Sequence, residues 1–286
     1  MKERRHVRVL KMVGAGCASM LLQACGGEGD GSALRAFTPS APSGGSASGG
    51  TTGNGGNGNG NGNGNSGGTV SANFDASAAA RHALVGPGQQ SSGRLTEVEQ
   101  IGGAIVRINS YALGDGRAVR DIAGDAAFAL GRWQAGTVTS ASGADTLTGT
   151  DGRAYHYVIY NGLATLPASG SFRCDAGTFT APSRESGAGP VLGSATGNAS
   201  LRFDAGGGRV DASIRVDASG VVGDVPASAV IADTASTSTT GNYATNGAGA
   251  TVTLADAGNG AYALVGSYRA IVGAGSYIGA YRFLCK

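Results

Sequence analysis

The chain of 286 residues is expected to be all-β, a sandwich or barrel of antiparallel strands set behind a long unstructured leader. Three observations predict this. Ala199–Asp204 (ASLRFD) and Arg209–Asp217 (RVDASIRVD) alternate apolar with charged or small polar residues, the period-two pattern of a strand with one buried face. The break AGGG between them reads as a hairpin turn. Tyr262–Val272 and Ser276–Cys285 repeat the alternation with aromatics and glycines sharing one face, a pattern that suits a tightly coiled sheet.

Taken from its start, the chain opens MKERRHVRVLK, with Lys2, Arg4, Arg5, Arg8 and Lys11, followed by the mostly apolar run Met12–Ala24. A basic stretch, a short apolar stretch and a small-residue cut site make a secretory signal. The run is too short for a spanning helix, which needs about 20 apolar residues. Leu22-Gln23-Ala24-Cys25 resembles the bacterial lipobox, which implies cleavage before Cys25 and acylation of that cysteine. Two or more acyl chains hold a protein stably on a bilayer. A plain secreted protein cut at Ala24, with Cys25 free, is the alternative.

Removal of residues 1–24 would leave 16 basic and 18 acidic residues, a net charge of −2. The apparent basicity belongs to the signal, and with it goes any electrostatic case for nucleic-acid binding. Cys17 would leave with the signal and Cys25 would go to lipid, so Cys174 and Cys285 remain. In an oxidising compartment a single disulfide is the simplest use of two cysteines, with two free thiols as the alternative.

Residues 25–72 are expected to be a disordered tether. Ser43–Gly68 holds 13 glycines in 26 residues, and no charged residue occurs between Arg35 and Asp75. Such a composition has too little to bury to offset the entropy of ordering, and about 45 residues of it span roughly 35–40 Å. From Phe74 onward aromatics, charges and β-branched residues return. Ser77–Leu84 (SAAARHAL) alone has helical character. Strands are expected at Ala154–Asn161, Ser171–Thr180, Ala227–Ala232 and Ala250–Ala255.

The segments GDAAFALGRWQAGTV, HYVIYNGLATLPASGSFRC and GSATGNASLRFDAGGGRVDASI, with the glycine-aromatic C-terminus, resemble the transferrin-binding protein-like lobes of Gram-negative surface lipoproteins. The likeness covers about Gly124–Lys286, and the lipobox and Gly-rich tether are shared. The larger members of that family carry two lobes, and this chain has room for one. The resemblance implies an eight-stranded antiparallel up-and-down barrel over 167–286, preceded by a β-rich handle over 73–166. It also implies that Ser171–Asp175 opens the barrel and Tyr277–Cys285 closes it, so that Cys174 and Cys285 meet across the seam. The function implied is that of an outer-membrane lipoprotein at the cell surface. It would bind a host protein such as an iron carrier, or a haem source, alongside an outer-membrane receptor or export partner. A structural or accessory envelope lipoprotein without a soluble ligand is the rival.

Chemical motifs add little. Ser142–Gly152 (SGADTLTGTDG) looks like one unit of a calcium-binding repeat, but a single copy cannot stack, and a hairpin loop is the plainer reading. Gly64–Gly68 (GNSGG) matches a nucleophile elbow only formally, since it lies in the tether. GAGSYIG near the end has no helix after it to make a dinucleotide site. His156, among Tyr155, Tyr157 and Tyr160, is a weak haem candidate, and a histidine packed in a strand is the bland alternative. Trp133 is expected in the core. No catalytic set and no metal cluster stands out, so an enzyme is not expected. With the barrel interior filled by side chains, recognition would fall to rim loops, Ser183–Gly197 and Ser236–Gly249.

Overall fold

The computed structural model describes residues 69–286. The expected signal sequence, Cys25 and the expected tether up to residue 68 lie outside the described residues.

Nine strands form the first sheet: β1 (Ala80–Gly86), β2 (Gln89–Arg94), β3 (Val98–Ile101), β4 (Ala104–Ile108), β5 (Tyr111–Leu113), β6 (Ala118–Asp125), β7 (Phe128–Ser140), β8 (Gly143–Thr148) and β9 (Tyr155–Asn161). Their order is β2-β1-β9-β7-β5-β4-β3, with β6 and β8 also on β7. The long β7 is the axle. Its first half lies between β9 and β6, and its second half between β8 and β5. Ser77–Leu84 is therefore no helix. Its alanines permit a helix, but β1 pairs on both sides, with β2 and β9, and tertiary pairing overrides a weak local preference. The expected Ser142–Gly152 loop is likewise mostly strand β8, whose Asp145 accepts from the Arg153 guanidinium at 2.8 and 2.9 Å.

The rest of the chain makes two antiparallel sheets. One holds β10 (Gly170–Arg173), β13 (Ser194–Asp204), β14 (Gly207–Ala218), β15 (Val221–Pro226) and β16 (Ala229–Ile231). The other holds β11 (Thr178–Phe179), β12 (Ser183–Gly187), β17 (Thr237–Gly241), β18 (Gly249–Gly258), β19 (Ala261–Val272) and β20 (Gly275–Cys285). The expected strand Ser171–Thr180 is broken in the middle. Asp175 turns the chain by accepting from Gly177 N–H at 3.0 Å, and Gly177 has a φ of 81°.

Cys174 and Cys285 are joined by a disulfide with their Cα atoms 3.9 Å apart. Beside it Arg173 and Lys286 exchange backbone hydrogen bonds at 3.0 and 2.9 Å. The two sheets are thus sewn together along β10 and β20 and curl about one core. Phe203, Ile214, Tyr268, Tyr281 and Phe283 fill it, each at most 2% exposed. Gly279 sits opposite Tyr268 in the ladder, where a Cβ would collide with the phenol, so the glycine makes room for the ring.

The first sheet curls about a second core of Leu84, Ile105, Ile108, Trp133, Tyr155 and Tyr157. Trp133 donates its indole N–H to Ile105 O at 2.7 Å. Between the two cores lies a third cluster, in which Phe128, Leu130, Val158 and Tyr160 meet Ala255, Ala263, Val265 and Ala280. The outward face of β18–β20 is therefore buried too.

Candidate functional site

The chain enters the folded part at one end. Ser71 N–H donates to Gly124 O at 2.9 Å and Asp75 N–H to Ala126 O at 3.0 Å. A cleft of about 830 Å³ connects this entry to the β18–β19 turn, lined in part by Asp75, Ala126, Asn161 and Asn259. The twelve-residue β19, up to about 35–40 Å in length, starts at this turn and runs away from it.

At the far end stand the β14–β15 turn, the β19–β20 turn and the β12–β13 and β17–β18 connections. Ser219 and Gly220 both have positive φ, 57° and 83°, the requirement of a tight primed hairpin. Three of the exposed large apolar side chains sit here: Val191, Val221 and Ile271 at 39%, 49% and 42%. Val221 packs near Gly273, and Gly223 lies against the Ile271 carbonyl, so the segments that carry Val221 and Ile271 run side by side.

The two expected rim loops are shorter than their sequence suggests. Ser183–Gly187 is strand β12 on β20, and Thr237–Gly241 is strand β17 on β18. What remains of both is stiffened from one point. Arg269 makes a bidentate pair with Glu185 of β12, at 2.9 Å for each bond, and donates to Tyr243 O of the β17–β18 connection at 2.9 Å. Both side chains of the pair are nearly buried, at 11% and 12% exposed, where planar two-point recognition is strong. Tyr243 lies under the guanidinium, its ring centroid 5.3 Å away, and burial pushes its hydroxyl up to about 12. Tyr277 ties the other connection by donating to Pro190 O at 2.8 Å.

His156 is not on this surface. It is fully buried on β9, with Nδ1 at 2.7 Å from Thr180 Oγ1 and Nε2 at 2.7 Å from Ser183 Oγ. Both ring nitrogens are occupied, which leaves no lone pair open to haem iron. Burial, with the nearby Arg132 charge, holds the imidazole well below its usual range. Arg132 in turn donates to Asp121 at 2.7 Å, and Asp121 also accepts from Ala181 N–H at 3.0 Å. The resulting polar thread stitches the first sheet to Thr180–Ser183. A Ser–His bond of this length resembles a nucleophile pair, but at 1% and 0% exposure no substrate reaches it. Among the described residues no group of three or more His, Cys, Asp or Glu is placed to hold a metal ion.

Sequence reading misses this thread because Asp121, His156 and the Thr180–Ser183 segment are far apart in the chain and carry no motif. The Ser219-Gly220 turn is missed as well, although a Ser-Gly pair directly after the alternating Arg209–Asp217 strand is a local signal for it. Comparison with family models, with curated proteins and with solved structures finds no match for this chain.

Proposed function

We propose that the chain is a lipoprotein anchored through Cys25 in the outer membrane and displayed at the cell surface, acting as a binding module for a host protein or an iron or haem source. One observation carries the reading. The entry of the chain and the exposed pair Val221 and Ile271 lie at opposite ends of the fold. A membrane tether at the entry would point that apolar pair outward, beside the connections that Arg269 and Tyr277 hold. Exposed apolar side chains on segments that run side by side favour a protein partner.

In this reading β10–β20 make an eight-member circuit, with β10–β12 as one broken strand and β15–β16 as another. Cys174–Cys285 fastens its seam, and Thr240 Oγ1, bonded to Pro226 O, helps close the other side. The first sheet is the handle. A transferrin-binding protein-like module has this plan, and the filled core of Phe203, Tyr268 and Phe283 supports recognition from outside. A structural or accessory envelope role is the second reading, favoured if the distal turns bind nothing.

The test has two parts. Labelled palmitate should enter the wild-type chain and not Cys25→Ala. The full chain should retain a protein from serum, with absorbance near the haem Soret band recording any haem source. Label in both chains would remove the anchor, and an empty eluate without chromophore would remove the binding role.

A further inference from the structure

Arg81 of β1 and Arg94 of β2 are directly opposite in the ladder. Like charges placed so are destabilising unless something lies between them. Among the described residues no carboxylate comes within 4.0 Å of either guanidinium, although nine other ion pairs do form. Nε of Arg81 is buried and has no hydrogen-bond partner, a costly state for a charged donor. On its other side Arg81 is opposite Tyr160 of β9, which supplies no negative charge: burial pushes the phenol up, against the opposing pull of Thr253 and the nearby Arg81 guanidinium, so it stays neutral.

Both arginines line a cleft of about 280 Å³ that is closed across the way by Thr234 and Ala235 of the β16–β17 turn. Asp233 is the acid of that turn, its carboxyl held below the usual range by Ser236 and Ala235 and, more weakly, by the Arg81 charge, and its two oxygens bond locally. They accept from Ala235 N–H at 2.9 Å and from Ser236 O–H at 2.6 Å. The cleft thus offers two guanidinium forks and a threonine, with no acid among its lining residues. It shares Ala78, Ala79 and Gly162 with the cleft at the chain entry, so it lies on the tether side.

We infer that Arg81 and Arg94 form a binding site for a single oxyanion group, a phosphate or phosphomonoester, held between the two forks with Thr234 opposite. Guanidinium forks match phosphate oxygens bidentately, and a bound dianion would turn the repulsion of the pair into attraction. The inference does not rest on the binding role of the distal turns. The phosphoryl group could come from a free anion or from a lipid headgroup, given the place of the site.

The full-length chain is titrated with inorganic phosphate and, separately, with dihexanoyl phosphatidic acid below its micelle concentration, at fixed ionic strength. Saturable one-to-one binding is expected, with a rise in melting temperature. Arg94→Gln, at an exposed position that leaves the core untouched, should weaken binding about tenfold or more. Without phosphate it should melt no lower than wild type, because the repulsion is relieved. Arg215→Gln, on another sheet, should bind as wild type. Equal affinity for both probes supports a free anion, and much tighter binding of the lipid supports a headgroup. No saturable binding to either probe, or equal loss in Arg215→Gln, would overturn the inference.

Discussion

The β13–β14 and β19–β20 hairpins are built from strands of 11 and 12 residues, yet they behave differently. Along β14 buried Val210, Ala212, Ile214 and Val216 alternate with exposed Arg209, Asp211, Ser213 and Arg215. Along β19 and β20 almost every position is buried. One face of each hairpin lines the same core. The other face meets water in β13–β14, and meets the first sheet through Ala263, Val265 and Ala280 in β19–β20. The residues at the second parity therefore announce the neighbour: charge for water, small apolar side chains for a second core.

The largest effect should come from parting the sheets that hold the two hairpins. Replacing Cys174 and Cys285 together by serine removes a link across a separation of 111 residues, and the chain-entropy model assigns such a loop about 4–5 kcal/mol. Urea unfolding measures it, and a midpoint equal to wild type would refute it. Phe283→Ala empties part of the shared core and should cost about 3–5 kcal/mol. Ala280→Leu tests the face that distinguishes the hairpins. Overpacking against Val158 and Tyr160 should cost about 1–3 kcal/mol, whereas a similar change on the outer face of β14 would be neutral.

A pH series sharpens the same boundary. His156 is neutral when folded because burial lowers its pKa well below 6.5. The unfolded chain then binds the extra proton first. This contribution is full above pH 6.5 and is lost as pH falls below it, by up to about 1.4 kcal/mol per pH unit, until the folded pKa is reached. His156→Gln should flatten that slope. A residual slope is expected from His82, which burial also lowers. The smallest effect is that of Arg215→Ala. Its pair with Asp224 spans 4.0 Å and both side chains are mostly exposed, so stability should change by no more than about 0.5 kcal/mol.

How far the fold could be read from the chain follows from the same contrast. Period-two charge made β13 and β14 plain, and the aromatic-glycine parity of β19 and β20 showed their faces, while the pairing of Tyr268 with Gly279 came from the ladder. The first sheet was harder. β1 begins with alanines that suit a helix, and its strand identity comes from pairing with β2 and with β9, the latter about 75 residues later in the chain. Of the candidate site, the turn at Ser219-Gly220 was not expected but is written locally, as a Ser-Gly pair after an alternating strand. The Glu185–Arg269 pair and the Arg81–Arg94 opposition are not, since each depends on register between strands. The same holds for the partners of His156, whose aromatic neighbours in sequence say nothing of Thr180 and Ser183.

The outward role of the distal turns is decided by one binding experiment. Immobilised full-length chain and its Val221→Asp, Ile271→Asp double variant are exposed to serum and the bound protein is quantified against concentration. Saturable capture by the wild type, with at least about tenfold weaker capture by the double variant at an unchanged melting temperature, is the expected result. Equal capture by both chains, or none by the wild type, would contradict it.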